Sequence, residues 1–180
     1  MKKYYAAGAL MCAALATAGF ARRTHDAGPA QRQIPVANGA PINNIACEAM
    51  EGSGLHIHQH LMILDRGRNV GIPATVGQVP LRRCLYWVHT HTPDGIIHIE
   101  APKSRSFTLG DFFDIWGQPL SRTQAATARA NKGQSLKVWV NGKPFTGDPR
   151  AIALTAHADI VIEAGPPFPA PPRFTAWGGL

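Results

Sequence analysis

The sequence predicts a mainly β protein, a small β-sandwich or barrel carrying one short amphipathic helix. Three observations lead there. Glycine and proline are abundant, 18 and 15 of 180 residues, which favours many turns and short strands. Leu55–Leu64 alternates strictly, with Leu55, Ile57, Gln59, Leu61 and Ile63 on one face and His56, His58, His60, Met62 and Leu64 on the other. Only Thr108–Trp116 combines a helix start, Thr108 followed by Asp111, with apolar residues at helical spacing: Leu109, Phe112, Phe113 and Trp116. A charged fraction of 16% and a hydrophobic fraction of 45% exclude a charge-rich disordered chain and a coiled coil.

The other elements follow in order. Asp65-Arg66-Gly67-Arg68 reads as a turn, and Val70–Val79 as a second strand that Pro73 confines to an edge or bulge. Cys84–Thr90 and Ile96–Glu100 read as two strands of a hairpin joined at Thr92-Pro93-Asp94-Gly95. Leu120–Gln134 is polar and alanine-rich, a loop or a weak helix. Asn141-Gly142 between Leu136–Val140 and Lys143–Thr146 is the strongest short hairpin signal in the chain. Ile160–Glu163 is a final strand.

Residues 1–21 have the order of a secretory signal peptide: Lys2 and Lys3, an Ala- and Leu-rich stretch, then small residues, with an uncleaved anchor as the alternative. Residues 22–45 read as a flexible leader, 46–165 as a histidine-rich β domain, and 166–180 as an extended proline-rich tail in which Phe168, Phe174 and Trp177 are the packing candidates. The expected location is the periplasm or the exterior, with no membrane span after signal cleavage. Loss of Lys2 and Lys3 takes the net charge from +7 to +5, from 18 − 11 to 16 − 11. No basic stripe is interleaved with aromatics, so nucleic acid is not an expected partner, and no protein partner is indicated.

Cys12 lies in the signal segment, which leaves Cys47 and Cys84. In an oxidising compartment they most simply form one disulfide; thiolate metal ligation is the alternative.

Six of eight histidines fall in two windows: His56, His58 and His60, then His89, His91 and His98, with Glu100 beside the last. Spacing i, i+2 on a strand places side chains on one face about 6–7 Å apart. Two such imidazoles can grip one metal ion, as can His98 with Glu100, and two adjacent strands, about 4.8 Å apart, can bring two His-x-His pairs around one ion. Imidazole with carboxylate suits copper, zinc, iron or nickel and does not suit calcium. The ligand set expected is His58, His60, His89 and His91, with His98 and Glu100 as further ligands or supports and His56 either extending the set toward a second ion or facing solvent at the start of its strand. Hairpin parity bears on it. An even loop places His98 and Glu100 on the face of His89 and His91, whereas a three-residue loop with a bulge at Gly95, which Pro93-Asp94-Gly95 favours, sends them to the other face. A polar strand face is the plain alternative for these histidines. His157 reads as a turn residue and His25 as part of the leader.

Four strings, His56-Ile-His-Gln-His-Leu, Cys84-Leu-Tyr-Trp-Val-His-Thr-His, Gly95-Ile-Ile-His-Ile-Glu and Leu109-Gly-Asp-Phe-Phe-Asp-Ile-Trp-Gly, resemble a family of secreted bacterial proteins of unassigned function. The resemblance covers roughly residues 47–165 and implies a recurring histidine-rich unit without implying a substrate. A looser likeness is to cupins, whose β-barrels hold metal with a His-x-His pair, a carboxylate and a later histidine. His89-x-His91 followed by Glu100 matches that pattern over a longer gap and without its glycine frame.

Three function classes follow. The leading one is an exported protein that binds copper or zinc for storage, delivery or tolerance. The second is a hydrolytic or oxidative metalloenzyme with Glu100 as general base. The third is a metal-free module whose histidines sense pH. Gly-x-Ser-x-Gly, phosphate-loop and His-Glu-x-x-His motifs are all absent from the sequence, which disfavours the commoner hydrolases.

Overall fold

The computed structural model describes residues 36–180 together with Met1. The expected signal peptide and His25 lie outside the described residues, and the expected leader is described only from Val36. In chain order the strands are β1 Cys47–Glu48, β2 Leu55–Asp65, β3 Arg68–Asn69, β4 Gln78–Val79, β5 Cys84–Tyr86, β6 Val88–His89, β7 Ile96–Ala101, β8 Gln124–Ala125, β9 Ala128–Arg129, β10 Lys137–Val140, β11 Lys143–Pro144 and β12 Asp159–Ala164. One α-helix, α1, spans Leu109–Trp116. Among the described residues the chain is mainly β with a single α-helix, and no helix there is long and apolar enough to cross a membrane.

The main sheet runs β11-β10-β12-β2-β7-β6, with β3 paired to β2; β1-β5-β4 and β8-β9 form smaller sheets. Only β12 and β2 run parallel in the main sheet, with Ile160 beside Leu61 and Ile162 beside Ile63. The alternation along β2 explains the position of the core. Leu61 and Ile63 join Ile97, Ile99, Ile160 and Ile162 in one buried apolar cluster with Phe112 and Phe113 of α1. The even-numbered side chains of β2, histidines first, are left on the opposite face.

α1 forms where its caps and apolar spacing agree. The Thr108 side chain accepts from Asp111 N, and the Asp111 carboxylate accepts from Thr108 N at 2.9 Å, closing a capping box. Gly117, with φ 70°, ends the helix in a left-handed cap. On the buried side, Asp114 accepts from Arg150 Nη2 at 2.7 Å and Asn43 Nδ2 at 2.8 Å, which ties the helix to segments before and after it. Ile42 and Ile45, within the expected leader, are buried in the core cluster.

Three sequence expectations need correction. Val70–Val79 is not a strand: only Gln78–Val79 pairs as one, because Gly71, Pro73 and a left-handed Gly77 (φ 77°) break the extended run. Cys84–Thr90 is two strands, broken at Trp87, and β5 and β6 enter different sheets. The alanine-rich segment 120–134 contains the β8–β9 hairpin, turned at Ala126 with φ 48°. The Asn141-Gly142 turn joins β10 and β11 as expected, both residues having positive φ, 53° and 73°.

Candidate metal centre

Register builds the site. In the β2–β7 pair, His58 lies opposite His98 and His56 opposite Glu100. In the β6–β7 pair, His89 lies opposite His98. The loop between His89 and His98 is therefore even and longer than the three-residue turn that Pro93-Asp94-Gly95 favours, and His89, His91, His98 and Glu100 share a face. His58, His98 and His89 form one cross-strand row, with His56 and Glu100 on the next.

This arrangement corrects one expectation. The two His-x-His pairs do not come from adjacent strands: β7 lies between β2 and β6, so His98 and Glu100 are central and the two His-x-His pairs flank them. His60 takes another course. It is buried, lies beside Asp159 of β12, approaches Asp159 Oδ1 through Nδ1 at 3.2 Å and stacks on Phe174 at 4.0 Å. Asp159 also accepts from Phe174 N at 3.1 Å and pairs with Arg173 Nε at 3.3 Å. His60 is thus engaged beneath the proline-rich tail, outside the two groups that can hold an ion. His157 lies in a turn, with φ 56°, and stacks on Trp177.

Those groups are His56, His58, His98 and Glu100, and His89, His91, His98 and Glu100, the ligand atoms of each lying within 4.8 Å of one another. His56 Nε2 is 3.2 Å from His58 Nε2 and 3.1 Å from Glu100 Oε1. His98 Nδ1 is 3.6 Å from Glu100 Oε1. His89 Nε2 is 3.0 Å from His91 Nε2 and 3.8 Å from Glu100 Oε2. A tetrahedral ion with bonds of about 2.0–2.1 Å requires ligand–ligand edges of about 3.3–3.4 Å. The measured separations bracket that edge.

Support around the cluster selects lone pairs. His89 Nδ1 donates to the Tyr86 carbonyl at 2.8 Å, so the free lone pair belongs to Nε2, which faces His91 and Glu100. The segment before β4 braces this window. Thr90 Oγ1 donates to Pro73 O at 2.7 Å and accepts from Val76 N at 3.0 Å, and Gln78 Nε2 donates to Thr90 O at 2.7 Å. Gly77 lies so close to β6 that an added Cβ would come within 2.6 Å of Val88 O, so only glycine fits there.

Two buried polar atoms at the centre, His98 Nδ1 and Glu100 Oε2, have no hydrogen-bond partner. Leaving such atoms unpaired is costly. A cation bound among these imidazole and carboxylate groups would satisfy both, so the donor set fits a borderline transition ion. Burial holds the His98 pKa down at about 3, helped by neighbouring His58 and His91, and that of His89 at about 4. Burial and His56 also lower that of His58. Burial and then Glu51 raise that of Glu100. The three lowered imidazoles are therefore neutral at pH 7, the form that binds metal.

These shifts give the metal-free protein an acid-sensitive fold. A histidine whose folded pKa is depressed takes up its proton more readily when unfolded. Stability is then lost as pH falls from about 6.5 toward about 4 for His89 and about 3 for His98. Glu100 works the other way above its ordinary value and offsets part of the loss. Thermal unfolding of chelator-treated protein is expected to show a falling midpoint between pH 7 and pH 4. A midpoint flat over that range would contradict these shifts.

Sequence reasoning missed two residues. Glu51 Oε1 is 3.4 Å from His91 Nε2. Its signal was its place four residues after Cys47, because the Cys47–Cys84 disulfide draws this arm toward the second window. Asp159, the partner of His60, carried no local signal. At the opposite edge of the sheet, an apolar cavity lined by Leu136, Val138, Trp139 and Phe145 lies apart from the histidines. No protein-family model matches the chain, and neither does any curated protein or solved structure.

Proposed function

We propose that this protein is an exported, periplasmic or secreted, binder of copper or zinc that serves in metal storage, delivery or tolerance. The observation that carries the metal-binding reading is the convergence of five imidazoles on Glu100 at tetrahedral-edge spacing, around two buried polar atoms that lack a partner. The export reading rests on the signal-like first 21 residues and is supported by the Cys47–Cys84 disulfide, a bond typical of oxidising compartments. Resemblance to secreted histidine-rich proteins agrees with both.

Partial exposure favours reversible loading. His56 and His91 side chains are 57% and 39% exposed, whereas those of His89 and Glu100 are 0% and 5% exposed. The same open side favours a second reading, a metalloenzyme in which Glu100 is a general base for bound water and not a ligand.

Elemental analysis of untagged protein isolated from the periplasm, followed by titration with Zn(II) and Cu(II), tests the first reading. Tight binding is expected, and His98→Ala is expected to weaken it by more than about 100-fold, beyond the usual cost of losing an outer partner. Unchanged affinity in His98→Ala would place the ion elsewhere. Glu100→Gln separates the two readings: a ligand role lowers metal content, whereas a general-base role leaves it intact.

A further inference from the structure

The geometry points to a centre for two transition-metal ions, bridged by the Glu100 carboxylate. One ion is held by His56 and His58 and the other by His89 and His91, with His98 completing one of the two coordination shells. This inference rests on the metal-binding reading above.

Three observations carry it. First, the ligands come as two ready-made pairs. The paired Nε2 atoms are 3.2 Å apart in His56/His58 and 3.0 Å apart in His89/His91, each about one tetrahedral edge. Second, the pairs are on different sides of the carboxylate. β2 and β6 flank β7, and the two groups of potential ligands share His98 and Glu100 but divide the other four histidines between them. Strands two positions apart are separated by about 9–10 Å at the backbone, so side chains from both converge on the middle strand. Third, the two oxygens of Glu100 face different pairs. Oε1 is 3.1 Å from His56 Nε2, whereas Oε2 is 3.8 Å from His89 Nε2 and is the buried atom without a hydrogen-bond partner.

A single four-coordinate ion would use one pair with His98 and Glu100, and would leave the other pair idle against an unpaired carboxylate oxygen. Two ions employ all six groups and both oxygens. A carboxylate bridge also suits the roughly 3.5–4 Å spacing of ions in two-metal sites. Glu51, 3.4 Å from His91 Nε2, is placed to serve the second ion. Each ion then has two imidazoles and a carboxylate oxygen, and the exposed edges at His56 and His91 leave room for solvent or a small anionic ligand.

The test is stoichiometry by equilibrium dialysis of the untagged protein against Zn(II). Two ions per chain are expected. The double variants His56→Ala/His58→Ala and His89→Ala/His91→Ala are each expected to retain one, and the combination of all four changes none. One ion per wild-type chain would overturn the two-ion inference and leave the metal-binding reading standing. No bound ion would overturn both. Electron paramagnetic resonance of wild-type protein loaded with Cu(II) supplies a readout that needs no variant. A spin-coupled pair is expected, and Glu100→Gln is expected to weaken the coupling. A full-intensity spectrum of isolated Cu(II) ions at saturation would refute the bridge.

Discussion

Phe113→Ala is expected to destabilise the protein by about 3–5 kcal/mol, the usual cost of removing a fully buried aromatic ring. Phe113 is completely buried in α1 and packs edge-on against Phe112, ring centroids 6.0 Å apart, and tilted against Trp116 at 5.4 Å. The helix is short, eight residues, so its stability comes from this packing more than from its own hydrogen bonds. For a domain of this size the thermal midpoint should fall by roughly 10 °C or more. Because α1 contacts β6, the variant is also expected to loosen the strand that carries His89. A calorimetric midpoint equal to that of the wild type would show that the ring contributes nothing to the core.

The second large effect concerns Cys47–Cys84. These residues are bonded in the structure across a sequence separation of 37. A loop of that length restrains the unfolded chain by about 4 kcal/mol on the chain-entropy model. Replacing both cysteines by serine is expected to remove most of that, and denaturant midpoints would measure it. The loss should also reach the histidine cluster. The bridge anchors the arm on which Glu48 accepts from Trp87 Nε1 at 3.0 Å, Gly52 N donates to Glu100 O at 3.3 Å, and Glu51 approaches His91. Weaker Zn(II) binding by the serine variant is therefore expected in conditions where it remains folded. Titration of denatured, unreduced wild-type protein should find no free thiol at either position, and two free thiols there would refute the pairing.

Features written in short stretches of sequence were legible. The His-x-His spacing put His56 and His58 on one face of β2 and His91 beside His89 at the end of β6, Thr108 and Asp111 marked the start of α1, and Asn141-Gly142 marked a hairpin. What escaped was set by pairing between distant segments. No local rule places β7 between β2 and β6, yet that order makes His98 and Glu100 the centre of the cluster. His60 follows the same two-residue spacing as His58, but a carboxylate 99 positions away, at Asp159, takes it out of the group. The run from Cys84 to Thr90 looks continuous in composition, and only the competition between two sheets shows where it breaks.

The parallel pairing of β2 with β12 has a consequence for the order of assembly. β7 lies near enough in the chain to zip against both of its neighbours early, whereas β12 joins β2 from the far end of the sequence, and closing so long a loop is slow. Until it does, His58 O and His60 N, which bond His157 N and Ala158 O in the finished fold, lie along an open edge of the histidine strand. Loop closure in that order predicts that a nascent chain gathers the histidine cluster before it can lock it. The last strand is the latch, and a chain cut short before residue 159 keeps every histidine of the cluster but has a sticky edge where that latch belongs.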